Sequence, residues 1–162
     1  MDIVTLFSAQ NIEIGLKLLA ALSLGMSLGI ERALAGKTAG MRTYGLVTMG
    51  AALFVIIGVI AAGGFDSLEA TTESLRLTGQ IIVGVGFLGA GLIIFKNSKV
   101  SGVTTAAGIW VSAGVGMAIG YGFYSLAVIS TILILFVFTG LWYIENKLKT
   151  LIHEEEEDKD VV

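Results

Sequence analysis

The 162-residue chain is 55% hydrophobic, has a mean hydropathy of +0.88 and carries charge on only 14% of its residues, against about a quarter in ordinary soluble domains. This excludes a soluble domain and points to an integral membrane protein; the formal net charge of -3 says little about partners, because the charges are segregated along the chain. The chain has no Cys, and therefore no disulfide framework, thiol nucleophile or cysteine metal site; with no Pro and 22 Gly, glycine must serve close helix packing or local flexibility.

The N-terminus MDIVTLFSAQNIEIG lacks a basic leader and reads as uncleaved mature sequence rather than a signal peptide. A bilayer span needs about 20 mostly apolar residues, and five segments qualify, at 12–30, 43–62, 77–95, 104–122 and 123–144. The expected fold is all-α and polytopic, a five-helix membrane domain over 1–145 followed by an acidic cytoplasmic tail over 146–162 that is expected to be disordered. In that tail, solvation is favoured over a metal role for His153 with Glu154 and Glu157.

Helix one carries Glu13 and Lys17 at i,i+4 near its outer end, read as a structural pair or, less simply, an outer ion-entry site. It also carries a small-residue stripe at Ala21, Gly25 and Gly29. The stretch GIERALAGKTAGMRT then packs Glu31, Arg32, Lys37 and Arg42 into one short hairpin. Such a hairpin lets Glu31 reach Arg42, and a bidentate guanidinium would keep that carboxylate ionised at the membrane edge. Helix three has Gly84 and Gly91 on one face and Gly86 and Gly89 on another. Its GVGFLG matches G-x-G-x-x-G, but it lies inside a span and no acidic residue follows before Glu145, so it reads as helix packing rather than a dinucleotide loop. Helix four has small residues all round, including Gly108, Gly116 and Gly120; helices three and four are expected to form the packed centre. Helix five, bulky on every face, is expected to face lipid, with Trp142 and Tyr143 at its inner interface.

Eight of the ten basic residues fall between helices one and two, between three and four, or after five. The positive-inside rule therefore puts the N-terminus outside and the C-terminus in the cytoplasm. Sliding the chain so that Gly29 meets Gly91 also brings Lys37 onto Lys99, Gly40 onto Gly102, Thr43 onto Thr105 and Gly58 onto Gly120. The two hairpins thus read as a parallel repeat, with helix five outside it.

GIERALAGKTAGMRTYGLVTMGAALF and VGVGFLGAGLIIFKNSKVSGVTTAAGIWVSAGVG together resemble the two linked motifs of the MgtC/SapB family of bacterial inner-membrane proteins. The resemblance covers roughly residues 12–145. Glu31, Arg32, Gly40, Arg42 and Thr43 fall on the first motif; Gly86, Gly89, Gly91, Gly102, Thr105, Ala106, Ala107 and Trp110 fall on the second. The resemblance implies a five-helix domain in the bacterial inner membrane, linked to growth at low magnesium and to stress or intracellular survival. The chain departs from the family's type member in having Val111 where that protein has a Cys, and in running into the acidic tail instead of a soluble domain.

The residues favour a non-enzymatic membrane protein that associates with itself or with another membrane protein through small-residue helix faces. The polar cytoplasmic cluster Glu31, Arg32, Arg42 and Thr43 is its candidate functional site. The alternative is a Mg²⁺ or other cation channel or transporter. Mg²⁺ asks for oxygen ligands that include carboxylates, and the predicted second to fifth spans hold none before Glu145. Glu31 is the carboxylate that would serve a cation path. No acid, base and nucleophile converge as catalysis requires. No cofactor is expected, and the basic residues are the topogenic ones rather than a nucleic-acid footprint.

Overall fold

The computed structural model describes residues 9–63, 68–96 and 98–148; the tail beyond 148, with His153, lies outside them. Among the described residues five helices run in chain order: α1 (Ala9–Leu34), α2 (Met41–Ala61), α3 (Leu68–Ala90), α4 (Val103–Gly120) and α5, which starts at Tyr124 and continues to Leu148. A short antiparallel hairpin, β1 (Ile94–Lys96) and β2 (Lys99–Ser101), joins α3 to α4 and pairs Lys96 with Lys99.

α1, α2, α4 and α5 are each long and apolar enough to cross a membrane. The molecule is a multi-pass membrane protein. Each of these helices buries a stripe at helical spacing. In α1 it runs through Ala21, Gly25, Leu28, Gly29 and Arg32, and in α2 through Tyr44, Thr48, Ala51, Ala52 and Val55. α4 is the most deeply buried of the four and lies at the centre, as its composition predicts, leaving one exposed stripe at Val103, Thr104, Ala107, Trp110 and Val111.

Close approach explains much of this packing. A Cβ at Gly25 or Gly29 would collide with the α2 backbone or with Thr48, one at Gly116 with the Thr48 carbonyl, and one at Gly120 with Val55. Helix ends are set by glycines in the left-handed region. Gly36 (φ 67°) closes α1: the Lys37 N–H donates to the Arg32 carbonyl at 3.0 Å and the Gly36 N–H to the Ala33 carbonyl at 3.1 Å. Gly122 (φ 84°) ends α4 with the same six-residue closure, Phe123 N–H to the Ala118 carbonyl at 2.7 Å.

Four expectations are corrected. Helix three does not span 77–95. It begins at Leu68, because the Leu, Glu, Ala and Arg of LEATTESLR favour helix and the Glu73–Arg76 pair at 2.6 Å braces it, and it stops at Ala90. The apolar run Ile93–Ile94–Phe95 that suggested more helix is β-branched and aromatic, and it opens β1 instead. Nor is helix three part of the packed centre; that role belongs to α2 against α4. Of the helix-three glycines expected to pack, Gly89 touches Ala106, Gly84 and Gly86 meet nothing within 4 Å, and Gly91 falls in the turn after the helix. Finally, helix one runs on to Leu34, which places Glu31 and Arg32 inside its last turns.

Candidate functional site

The end of α1 carries the most concentrated polar chemistry among the described residues. The α1 stripe steps from Gly25 through Leu28 to Arg32, so the arginine follows it inward and is only 4% exposed. A buried cation must be paired and hydrogen-bonded. Arg32 is paired with its neighbour: its Nε donates to one oxygen of Glu31 and its Nη2 to the other at 2.6 Å. Nη2 also reaches the carbonyl of Phe138 on α5 at 3.3 Å, and the guanidinium carbon lies 3.7 Å from the centre of the Phe138 ring. The expected Glu31–Arg42 pair does not form. Arg42 opens α2 on the exposed side and makes no ion pair among the described residues. The planar fork of Arg32 is nearer, and it satisfies both carboxylate oxygens at once.

Phe138 is reached through a change in helix type. Over Phe136–Leu141 α5 widens into a π-helix, the form often found as a local bulge at functional positions. The Phe138 ring stands edge-on to Tyr44, 6.3 Å between centroids and perpendicular. The Tyr44 hydroxyl donates across to the Thr105 carbonyl on α4 at 3.3 Å, while Thr48 Oγ1 donates back to the Tyr44 carbonyl at 2.9 Å. Gly108 makes this convergence possible, because a Cβ there would strike both the Tyr44 hydroxyl and the Phe138 ring. Glu31–Arg32, Phe138, Tyr44 and Thr105 thus tie four helices together at one end of the bundle. The charge of Arg32 is spent inside this network.

A groove of about 1000 Å³ adjoins it, lined by Glu31, Arg32 and Phe138 together with Lys37, Trp142 and Glu145. Of the other first-motif residues, Arg42 and Thr43 are exposed and do not line it. In the second motif, Thr105 is buried and Trp110 is 49% exposed. Gly102 caps α4 at φ 88°, where a Cβ would strike the Leu92 carbonyl. No cluster of three acidic or histidine side chains suited to a metal occurs among the described residues. Glu13 and Lys17 form the expected i,i+4 pair at 3.0 Å. Sequence reasoning passed over Tyr44 and Phe138. The available signal was the Tyr44–Thr48 i,i+4 spacing for the first, and Gly140 interrupting an otherwise bulky helix for the second.

The MgtC family model matches residues 18–147. The chain is 42% identical over 130 residues to "Putative magnesium transporter YhiD" of Escherichia coli K12, an alignment covering 78% of this chain and 60% of that one. It is 40% identical over 149 residues to Protein SrpB of Synechococcus elongatus, covering 86% and 81%. It is 41% identical over 121 residues to Protein MgtC of Salmonella typhimurium LT2, covering 74% and 48%. The chain therefore spans only about 60% of the length of YhiD. No solved structure matches. A bacterial inner membrane fits this kinship, and with the motifs around Arg32 and Gly102 in the matched region, the chain belongs to the MgtC family.

Proposed function

We propose that the protein is a non-enzymatic, five-span component of the inner membrane that acts by associating with itself or with another membrane protein. The observation that carries this reading is on α3. Elsewhere the chain packs its helices through glycine, as at Gly25, Gly29, Gly116 and Gly120, but Gly79, Gly84 and Gly86 of α3 have nothing within 4 Å of where a Cβ would stand. In lipid, small residues matter because they let another helix approach. In this reading α3 is the fifth span, the N-terminus is outside and the C-terminus is cytoplasmic. The locked Arg32 network holds the cytoplasmic end of the bundle rigid beside the groove.

The parallel repeat belongs to the same reading. Its support includes Gly36 and its repeat partner Ser98, both left-handed at φ 67° and 60°, and Gly40 and Gly102, both at helix N-caps.

Cation transport is the second reading, favoured by the name of the YhiD relative. It would make Glu31 the carboxylate of the path, although its two oxygens already serve Arg32. Crosslinking in native membranes with mass spectrometry, run beside Mg²⁺ flux in liposomes, separates the two. Crosslinked species with no flux are expected. Flux that disappears in Glu31→Gln would establish transport instead, and a protein that is monomeric and crosslinks to nothing would overturn association.

A further inference from the structure

α3 is 23 residues long, about 34 Å at 1.5 Å per residue. That suffices to cross a bilayer, yet α3 is absent from the four helices apolar enough to do so. Its exposed side includes Gly79, Gln80, Val83 and Phe87. Gln80 sits at the middle of the helix, and its amide has no hydrogen-bond partner among the described residues. A primary amide at that depth faces hydrocarbon, which offers it no partner and leaves its donors and acceptor unsatisfied.

Beside Gln80 runs a groove of about 770 Å³ between α2 and α3. Leu46 and Phe54 wall it on one side and Leu77 and Leu88 on the other, and Gly50 and Gly84 line it. A Cβ at either glycine would meet nothing within 4 Å. The groove is apolar everywhere except at Gln80, where a polar partner is needed.

We propose that a second copy of this chain covers the groove. The two copies are related by a two-fold axis along the membrane normal. α3 of each copy lies against the α2–α3 groove of the other, and the two Gln80 amides hydrogen-bond to each other. The occupant follows from the chemistry of the amide. It carries a donor and an acceptor on one group, so it complements itself, and a two-fold axis is the operation that brings a residue onto its own copy. An acyl chain fills apolar volume but gives the amide nothing.

The proposal rests on the five-span association reading and names its surface. The chain contains no Cys, so single cysteines report cleanly. Val83→Cys, at a position 67% exposed on α3, is compared with Leu133→Cys, 58% exposed on α5, by oxidative crosslinking in native membranes. The Val83 variant is expected to give a disulfide dimer of this chain and the Leu133 variant none. In liposomes, Gln80→Leu is expected to raise the dissociation constant of the dimer about three- to tenfold by energy transfer between labelled copies. Should Gln80→Leu fail to insert, the Val83 crosslink, made in a chain with Gln80 intact, decides alone. Crosslinking at Leu133 but not Val83 overturns this surface while leaving association standing. So does a Val83 crosslink only to a different protein, which overturns the second copy as occupant. No crosslink at either site together with no energy transfer overturns both readings.

Discussion

At the scale of single residues, Arg32 and Arg42 lie in one short segment, yet they carry very different weight. Arg32 is buried with both Glu31 oxygens on its fork and Phe138 beneath it. Arg32→Ala would leave the partly buried Glu31 carboxylate without its partner and remove the link to α5. The expected loss is about 3 kcal/mol, read as a lower midpoint of thermal unfolding in mild detergent, with Arg32→Lys recovering little because an ammonium cannot reproduce the fork. Arg42→Ala, at an exposed position, is expected to stay within about 0.5 kcal/mol of the parent. A second residue-scale prediction concerns Ser74, whose Oγ is buried without a hydrogen-bond partner. Ser74→Ala removes an unsatisfied group and should be neutral or stabilising by up to about 1 kcal/mol in the same measurement. The neighbouring Tyr121 hydroxyl bonds to the Ser74 carbonyl at 3.2 Å and to Thr78, so the backbone contact survives that change.

At the scale of elements, the turn from β2 into α4 depends on one residue. Gly102 adopts a left-handed conformation against the Leu92 carbonyl, where a side chain has neither the dihedral freedom nor the space. Gly102→Ala is expected to destabilise the bundle by about 2 kcal/mol through strain and displacement of the hairpin, whereas Gly86→Ala, in open space, should leave thermal unfolding unchanged. The same contrast shows what was legible in the sequence. Glycine content pointed to close packing, and a Cβ at Gly25, Gly29, Gly108, Gly116 or Gly120 would meet a neighbouring helix. It could not say which glycines meet a neighbour within one chain, because that depends on how α3 is placed relative to α2 and α4. The inward turn of Arg32 was legible in principle, since continuing the stripe from Gly25 and Leu28 lands on it. It was obscured by ending the helix near residue 30 and by the rule that adjacent residues on a helix point apart. The length of the arginine lets it fold back to the Glu31 beside it.

At the scale of the whole molecule, charge and hydropathy predict a multi-pass helical protein, and four of the five helices among the described residues carry that signal outright. α3 is the exception because Glu69, Glu73, Arg76 and Gln80 dilute its apolar half. The distribution of lysine and arginine predicts a cytoplasmic C-terminus. Single cysteines at Asn146 and Asn11, labelled in intact spheroplasts with a membrane-impermeant maleimide, check it. Label at position 11 and not at 146 is the expected outcome, and the reverse pattern would invert the topology. Kinship alone would not have supplied the Arg32–Phe138 contact, because Phe138 lies outside both recognised motifs.

The widened turn at Phe136–Leu141 has one more effect. In a regular helix each residue advances about 100° round the axis, so a face set at one end dictates the face at the other. A π segment breaks that dictation, because it inserts a residue without lengthening the pitch in proportion. The first part of α5 holds Ala127, Thr131 and Ile134 against the bundle, while Trp142 and Tyr143 beyond the segment are 58% and 65% exposed. The two halves therefore follow separate phase rules. Substitutions that re-tune the part of the Arg32 groove lined by Trp142 and Glu145 can accumulate past Leu141 without disturbing the register on which the half before Phe136 depends.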